Sequence, residues 1–210
     1  MKIVRVDDYK DGRFSQKVLY QHGCFLVDDA PYEVEIISDH EAIVKGDNKK
    51  IYSLLIEEFR FYTPHITIFY DEKEKVIKEY PKVDLIPIDI NEIQPSQFYV
   101  DKEKINAISG FIEKQEDIII QVCRKDGMYI SVDGHTRLYY AYLKGWKTIR
   151  AIIQDSEEYV EHFVEEAQNR NIYRVSDMEL LDHKQYQQRW NDFCDDYFSC
   201  KEREEQLDED

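Results

Sequence analysis

The sequence predicts an α+β protein in three parts: a small α+β domain over residues 1–82, a β-α-β-β-α-β domain over 83–155, and an acidic segment of two C-terminal helices over 156–210. Three observations carry this division. Short runs rich in β-branched and aromatic residues, broken by Asp, Pro and Gly, fill the first two parts. Between them stand segments whose apolar residues recur at helical spacing. From residue 156 onward only the helical spacing remains, and 17 acidic residues face 6 basic ones, so most of the formal net charge of −16 lies there.

In the first part, "GCFLVDDAPYEVEIISDHEAIVKG" reads as three strands separated by Asp, Pro and Asp/His turns. Asp47 or Asn48 is placed to cap the helix "KKIYSLLIEEFRFY", in which Ile51, Leu54, Leu55, Phe59 and Tyr62 share a face. Thr63-Pro64 ends it, because a residue before proline disfavours the helical region. "HITIFYDEKEKVIKEYP" alternates like a hairpin with its turn at Asp71 to Lys75. His22 and His65 lie near turns with no second ligand at metal spacing and read as structural or surface residues.

The middle part runs strand "VDLIPIDI", helix "DKEKINAISGFIEKQ", strands "DIIIQVCRKDG" and "MYISVDG" around a Lys-Asp-Gly turn, helix "HTRLYYAYLKG" and strand "KTIRAIIQD". Ile105, Ile108 and Ile112 form the buried stripe of the first helix. Gly145 stands where the second helix would close in a left-handed residue, with Trp146 packing over that end.

In the last part, "SEEYVEHFVEEAQNRN" sets Tyr159, Val160, Phe163, Val164 and Ala167 on one helical face. Ser176 and Glu179 match a capping box, which predicts a second helix from there to about Phe198. Tyr186, Trp190, Phe193 and Tyr197 make its aromatic stripe, a core or an interface for a protein partner or a second copy. "CKEREEQLDED" reads as a frayed tail.

Composition bounds the function. With 42% apolar and 13% aromatic residues the chain can build a core. No apolar run approaches the roughly 20 residues that span a bilayer, and "MKIVRVDDYKDGRF" lacks the apolar region of a signal peptide, so a cytoplasmic location is expected. Cys24, Cys123, Cys194 and Cys200 are widely spaced and read as reduced thiols. No Lys/Arg cluster offers the counterion-releasing face that duplex DNA requires, which argues against specific duplex binding.

The chemistry gathers in "VDGHTR", between a strand and a helix. A helix starting at or just after Gly134 aims its unpaired amides and positive dipole end at whatever lies above the turn. Gly134 lets an oxygen-rich ligand approach the backbone, Thr136 can donate a hydroxyl, and Arg137 can fork onto a phosphate or carboxylate. His135 adds a donor or proton-transfer group. Asp133 would repel a phosphate unless it caps the helix or holds a divalent cation bridging to the phosphate oxygens.

From about Leu85 to Ile153, with "IQPSQFYVDKEKI" followed by "VDGHTRLYYAYLKGWKTIRAII", the chain resembles the ParB/sulfiredoxin-like superfamily, and specifically its ParB N-terminal-like domains. The resemblance covers about a third of the chain and implies that the Gly-x-x-Arg turn, here Gly134, His135, Thr136 and Arg137, binds nucleotide phosphates. Sulfiredoxins place a nucleophilic cysteine after the glycine, where this chain has His135, so sulfinic-acid reduction is not implied. Partition proteins have Glu-Arg-Arg and a further arginine there and continue into a helix-turn-helix domain; here Tyr139 replaces that last arginine and acidic helices follow.

The motif is most similar to the free serine kinases of the superfamily, which carry Asp-Gly-His-x-Arg and transfer phosphate from ADP or ATP to serine. This implies ATP or ADP with Mg²⁺ near Asp133, catalytic roles for His135 and Asp133, and a substrate pocket at Ser96 and Gln97. Those kinases place a catalytic glutamate at the position of Gln97, whose amide can position a hydroxyl but cannot take its proton. The readings that follow are a small-molecule phosphotransferase or nucleotide hydrolase, a nucleotide-sensing module acting through a protein partner, and, third, a ParB-like DNA-associated protein or nuclease.

Overall fold

The structure is a computed structural model and describes residues 2–8, 15–20, 22–27, 30–38, 40–45, 53, 56–57, 59–60, 63–110 and 112–208. It is mixed α+β. Strands β1 (Lys2–Asp8) and β2 (Ser15–Tyr20), in a stretch with no predicted element, pair antiparallel. The three predicted strands appear as β3 (His22–Val27), β4 (Ala30–Ser38) and β5 (Glu41–Lys45), and the predicted hairpin as β6 (Ile68–Tyr70) and β7 (Val76–Glu79). Together they form one sheet in chain order.

The helix expected before Thr63 is seen at Ser53, Ile56, Glu57, Phe59 and Arg60; its proposed caps Asp47 and Asn48, and Ile51, Leu54, Leu55 and Tyr62, lie outside the described residues. Thr63 ends it, with both its amide and its hydroxyl donating to the Phe59 carbonyl, at 2.9 and 2.6 Å. Ile56 and Phe59 bury against Val34, Ala42, Val44, Ile66 and Phe69. In the hairpin turn the Asp71 carboxylate accepts from the amides of Lys73 and Lys75, both at 2.9 Å. His65 is buried, and its carbonyl oxygen lies 3.1 Å from His40 Nδ1; the side chains of His22 and Cys24 fall outside the described residues.

The second sheet holds β8 (Ile86–Asp89), β9 (Ile93–Pro95), β11 (Ile119–Lys125), β12 (Met128–Asp133) and β13 (Thr148–Ile153), in the order β8-β13-β11-β12-β9. Pairs β13/β11 and β12/β9 are parallel and the others antiparallel. The turn between β11 and β12 has Asp126 and Gly127 both at positive φ, the combination a two-residue hairpin needs. The first helix is shorter than expected, Lys102–Ile108, because Ser109 closes it with its hydroxyl on the Asn106 carbonyl. Ile112 still joins Ile105 and Ile108 in the core. The helix His135–Leu143 ends as expected: the Gly145 amide donates to Tyr142 and the Trp146 amide to Ala141, and the indole packs edge-on to Tyr140.

The helix Glu158–Asn169 buries Val160, Phe163, Val164 and Ala167, the predicted face. The next helix does not start where the capping box suggests. Asp177 turns its carboxylate back onto the amides of Tyr173 and Arg174, and Glu179–Leu181 becomes strand β14, parallel to β10 (Tyr99–Asp101). An open strand edge outcompetes a local cap here. The true cap is Asp182, whose carboxylate accepts from the Gln185 amide at 2.8 Å. From His183 the chain is helical through a π-helical stretch at Gln187–Asn191 to Asp208, so the tail expected to fray is helical as far as it is described, with Lys201 paired to Glu158 at 2.8 Å. Cys123 and Cys200 are free thiols, and among the described residues no helix is long and apolar enough to cross a membrane.

Candidate functional site

Strands β12 and β9 run parallel, so the turn after Asp133 and the loop after Pro95 emerge at the same end of the sheet. Gly134 makes the first turn possible. Its φ is +89°, and a Cβ there would come 2.7 Å from Ile120 Cγ2 and 3.1 Å from an Arg137 nitrogen. Only glycine meets both demands. The chain passes from strand to helix with no linker, and no side chain caps the helix. The first intrahelical bond runs from the Leu138 amide to the Gly134 carbonyl, so the amides of His135, Thr136 and Arg137 have no intrahelical acceptor.

Asp133 does not cap this helix, as the sequence reading allowed. Its carboxylate meets the Arg137 guanidinium at 2.7 Å, one turn along, with both side chains partly open to solvent. Thr136 is half-buried.

His135 points inward and is only 7% exposed. Ser96 donates its hydroxyl hydrogen to the Ser131 carbonyl at 2.7 Å, so in its 3.1 Å contact with His135 Nε2 the imidazole is the donor. Burial drives the His135 pKa down to about 3, with the nearby Arg137 charge acting in the same sense and the bond to the Ser131 backbone opposing. The ring is therefore neutral at physiological pH and carries its proton on Nε2. It ties the two loops together from below.

Ser96 and Gln97, the expected substrate pocket, are both buried. Gln97 donates to the Tyr99 carbonyl and to the Tyr186 hydroxyl oxygen, 3.2 Å away on the C-terminal helix. The residues that follow are gripped in the same way. Phe98 packs edge-on against Trp190 and Phe193 at 4.9 and 5.0 Å. Arg189 donates to the Tyr99 hydroxyl at 2.6 Å and lies over its ring. Asp101, 1% exposed, accepts from the Glu103 amide and holds His183 Nδ1 at 2.7 Å. Sequence reading missed the Asp101–His183 pair, since the partners are far apart in sequence; the Asp before a helix in "YVDKEK" was the one local signal.

Among the described residues no group of three or more His, Cys, Asp or Glu side chains is placed to hold a metal ion. A divalent cation here would rest on the Asp133 carboxylate together with ligand oxygens and water, the usual coordination of Mg²⁺ beside phosphates.

No protein-family model and no curated protein matches the chain. Among solved structures, that of protein Atu1540 from Agrobacterium tumefaciens is similar over 48% of this chain and 63% of its own, at 14% identity and a TM-score of 0.34. The chain thus spans less than two thirds of that protein, and a likeness at this level carries no argument about the fold or the site.

Proposed function

We propose that the chain binds the phosphates of a nucleotide at the Asp133–Arg137 turn and transfers a phosphoryl group to a small hydroxyl-bearing substrate. The observation that carries this reading is Gly134. A left-handed glycine seated against Ile120 opens a helix whose first three amides lack intrahelical acceptors, with a guanidinium on the same turn. Backbone N–H groups at a helix start together with an Arg fork suit a phosphate. The resemblance to the ParB/sulfiredoxin-like superfamily supports the same assignment.

In this reading the ion pair with Asp133 is the resting state of Arg137. On binding, Arg137 turns to the phosphate oxygens, and Asp133 becomes free to hold Mg²⁺, which would offset phosphate charge. Thr136 and the first-turn amides hold the remaining oxygens. His135, neutral and buried, acts from within by fixing the Ser96 loop against the turn. ATP or ADP is the expected nucleotide.

Gln97 favours a second reading, a nucleotide-sensing module. With an amide where the related kinases carry a carboxylate, and with that amide tied to Tyr186, the loop is built to pass a change at the turn to the C-terminal helices. Thermal-shift measurements with ATP, ADP, CTP and GTP, with and without Mg²⁺, test both. Binding stabilises by RT ln(1 + [L]/Kd), about 2.7 kcal/mol at a hundredfold excess over Kd. A flat response to all four, unchanged in Arg137→Ala, rejects nucleotide binding. Binding with no turnover selects the sensor.

A further inference from the structure

Transfer to a hydroxyl needs a group that takes its proton, and Gln97 cannot serve. We propose that His183, oriented by Asp101, is that base. The inference rests on the phosphotransfer reading above.

Asp101 is a carboxylate at 1% exposure, in a position where charge is costly without partners. Its partners include the Glu103 amide at 2.8 Å and His183 Nδ1 at 2.7 Å. The second bond puts a hydrogen on Nδ1 and fixes the orientation of the imidazole, so that Nε2 is the nitrogen left to act. His183 is 28% exposed, and among the described residues Nε2 has no hydrogen-bond partner. An imidazole held at one nitrogen by a buried carboxylate and open at the other is the arrangement of a general base with its orienting residue.

A short series of contacts links the pair to the candidate site. Ser96 touches His135 under the phosphate turn, the next residue, Gln97, touches Tyr186, and His183 precedes Tyr186 by three positions in the same helical run. Asp101 ends the strand that begins two residues after Gln97. These contacts connect the turn to the helix that carries His183. The bases available elsewhere along them are poorer. His135 is buried with its Nε2 proton engaged, and Asp133 is paired with Arg137 at rest and would be taken up by Mg²⁺ once nucleotide is bound.

In the reaction the acceptor hydroxyl oxygen attacks the terminal phosphorus of a nucleoside triphosphate and forms the new O–P bond. The bond from phosphorus to the bridging oxygen breaks, and its electron pair leaves with the nucleoside diphosphate. The hydroxyl proton passes to His183 Nε2 and then to solvent. His183 is the catalytic residue and Asp101 a positioning residue.

The test uses the full chain with ATP and Mg²⁺ and with L-serine, L-threonine or glycerol as acceptor, measuring ATP binding by calorimetry separately from turnover. The expected result is unchanged ATP affinity in every variant. His183→Ala should lose about 10²-fold or more in kcat, partly restored by added imidazole, and Asp101→Asn, which can still cap its helix, about tenfold or more. His183→Gln can still donate to Asp101 and keeps the local packing, so its loss of kcat without a loss of melting temperature separates chemistry from folding. Wild-type turnover retained in His183→Gln, or no rescue of His183→Ala by imidazole, overturns the inference. ATP binding without turnover in the wild type also overturns it and leaves nucleotide binding standing. Absence of ATP binding rejects the underlying reading instead.

Discussion

The Asp133 carboxylate and the Arg137 guanidinium meet at 2.7 Å across the first turn of the helix that Gly134 opens. The guanidinium proposed to meet the phosphate is thus occupied by the protein's own anion. Asp133→Asn releases Arg137 and should tighten binding of inorganic phosphate or metal-free ADP, while weakening the gain that Mg²⁺ brings. Arg137→Ala should weaken both. Calorimetric titration with and without EDTA reads these opposite signs, and parallel losses in the two variants would contradict the exchange.

Gly134→Ala should destabilise the fold. A left-handed backbone alone costs a side-chain-bearing residue roughly 1–2 kcal/mol, and the approach to Ile120 adds to it. For a chain of this size that lowers the melting temperature by at least about 2–4 °C per kcal/mol. Ile120→Ala in the Gly134→Ala background should recover the steric part and leave the backbone part. A double-mutant cycle over these two positions measures the coupling.

His135 should make the protein acid-sensitive. Its folded-state pKa lies near 3 against an ordinary value of 6.5, so between these limits the unfolded chain holds a proton that the folded chain does not. Stability from this group is complete above about pH 6.5 and is lost as pH falls toward 3, by up to about 1.4 kcal/mol per pH unit. Urea titrations across pH 4–7 should show a shallower slope in His135→Gln than in the wild type.

The helix start at Asp182 can be tested against the one suggested by the sequence. Asp182→Ala should cost about 1 kcal/mol, as loss of an N-cap does. Ser176→Ala should cost almost nothing, because among the described residues the Ser176 hydroxyl bonds only the neighbouring Asp177 carboxylate, at an exposed position. Equal effects would place the cap elsewhere.

What could be read in advance followed from how far each signal reaches along the chain. The left-handed Gly145 closure, the Asp71 turn and the buried stripe of Ile105, Ile108 and Ile112 are set by neighbours within a few residues, and the sequence shows them plainly. The capping box at Ser176 is equally local, yet it fails, because β10 offers a strand edge to residues 179–181 that no local pattern announces. The polar residues of the turn were legible as a group, but not their division of labour. That His135 turns inward depends on Ser96 and on the Ser131 carbonyl, both brought there by the sheet. The Asp101–His183 pair joins residues that only the β10–β14 pairing draws together.

Ala167, Ile172, Val175 and Met178 belong to the same apolar cluster as Ile93, Phe98, Ile120 and Leu138. The exposed residues 155–157 therefore join two lengths of chain that share a single core. A chain severed at that point should behave as a split protein. Each fragment would be left with an uncovered greasy face, and mixing the two should reconstitute the folded whole, so the segment that looks by charge like an acidic appendage is half of a complementing pair.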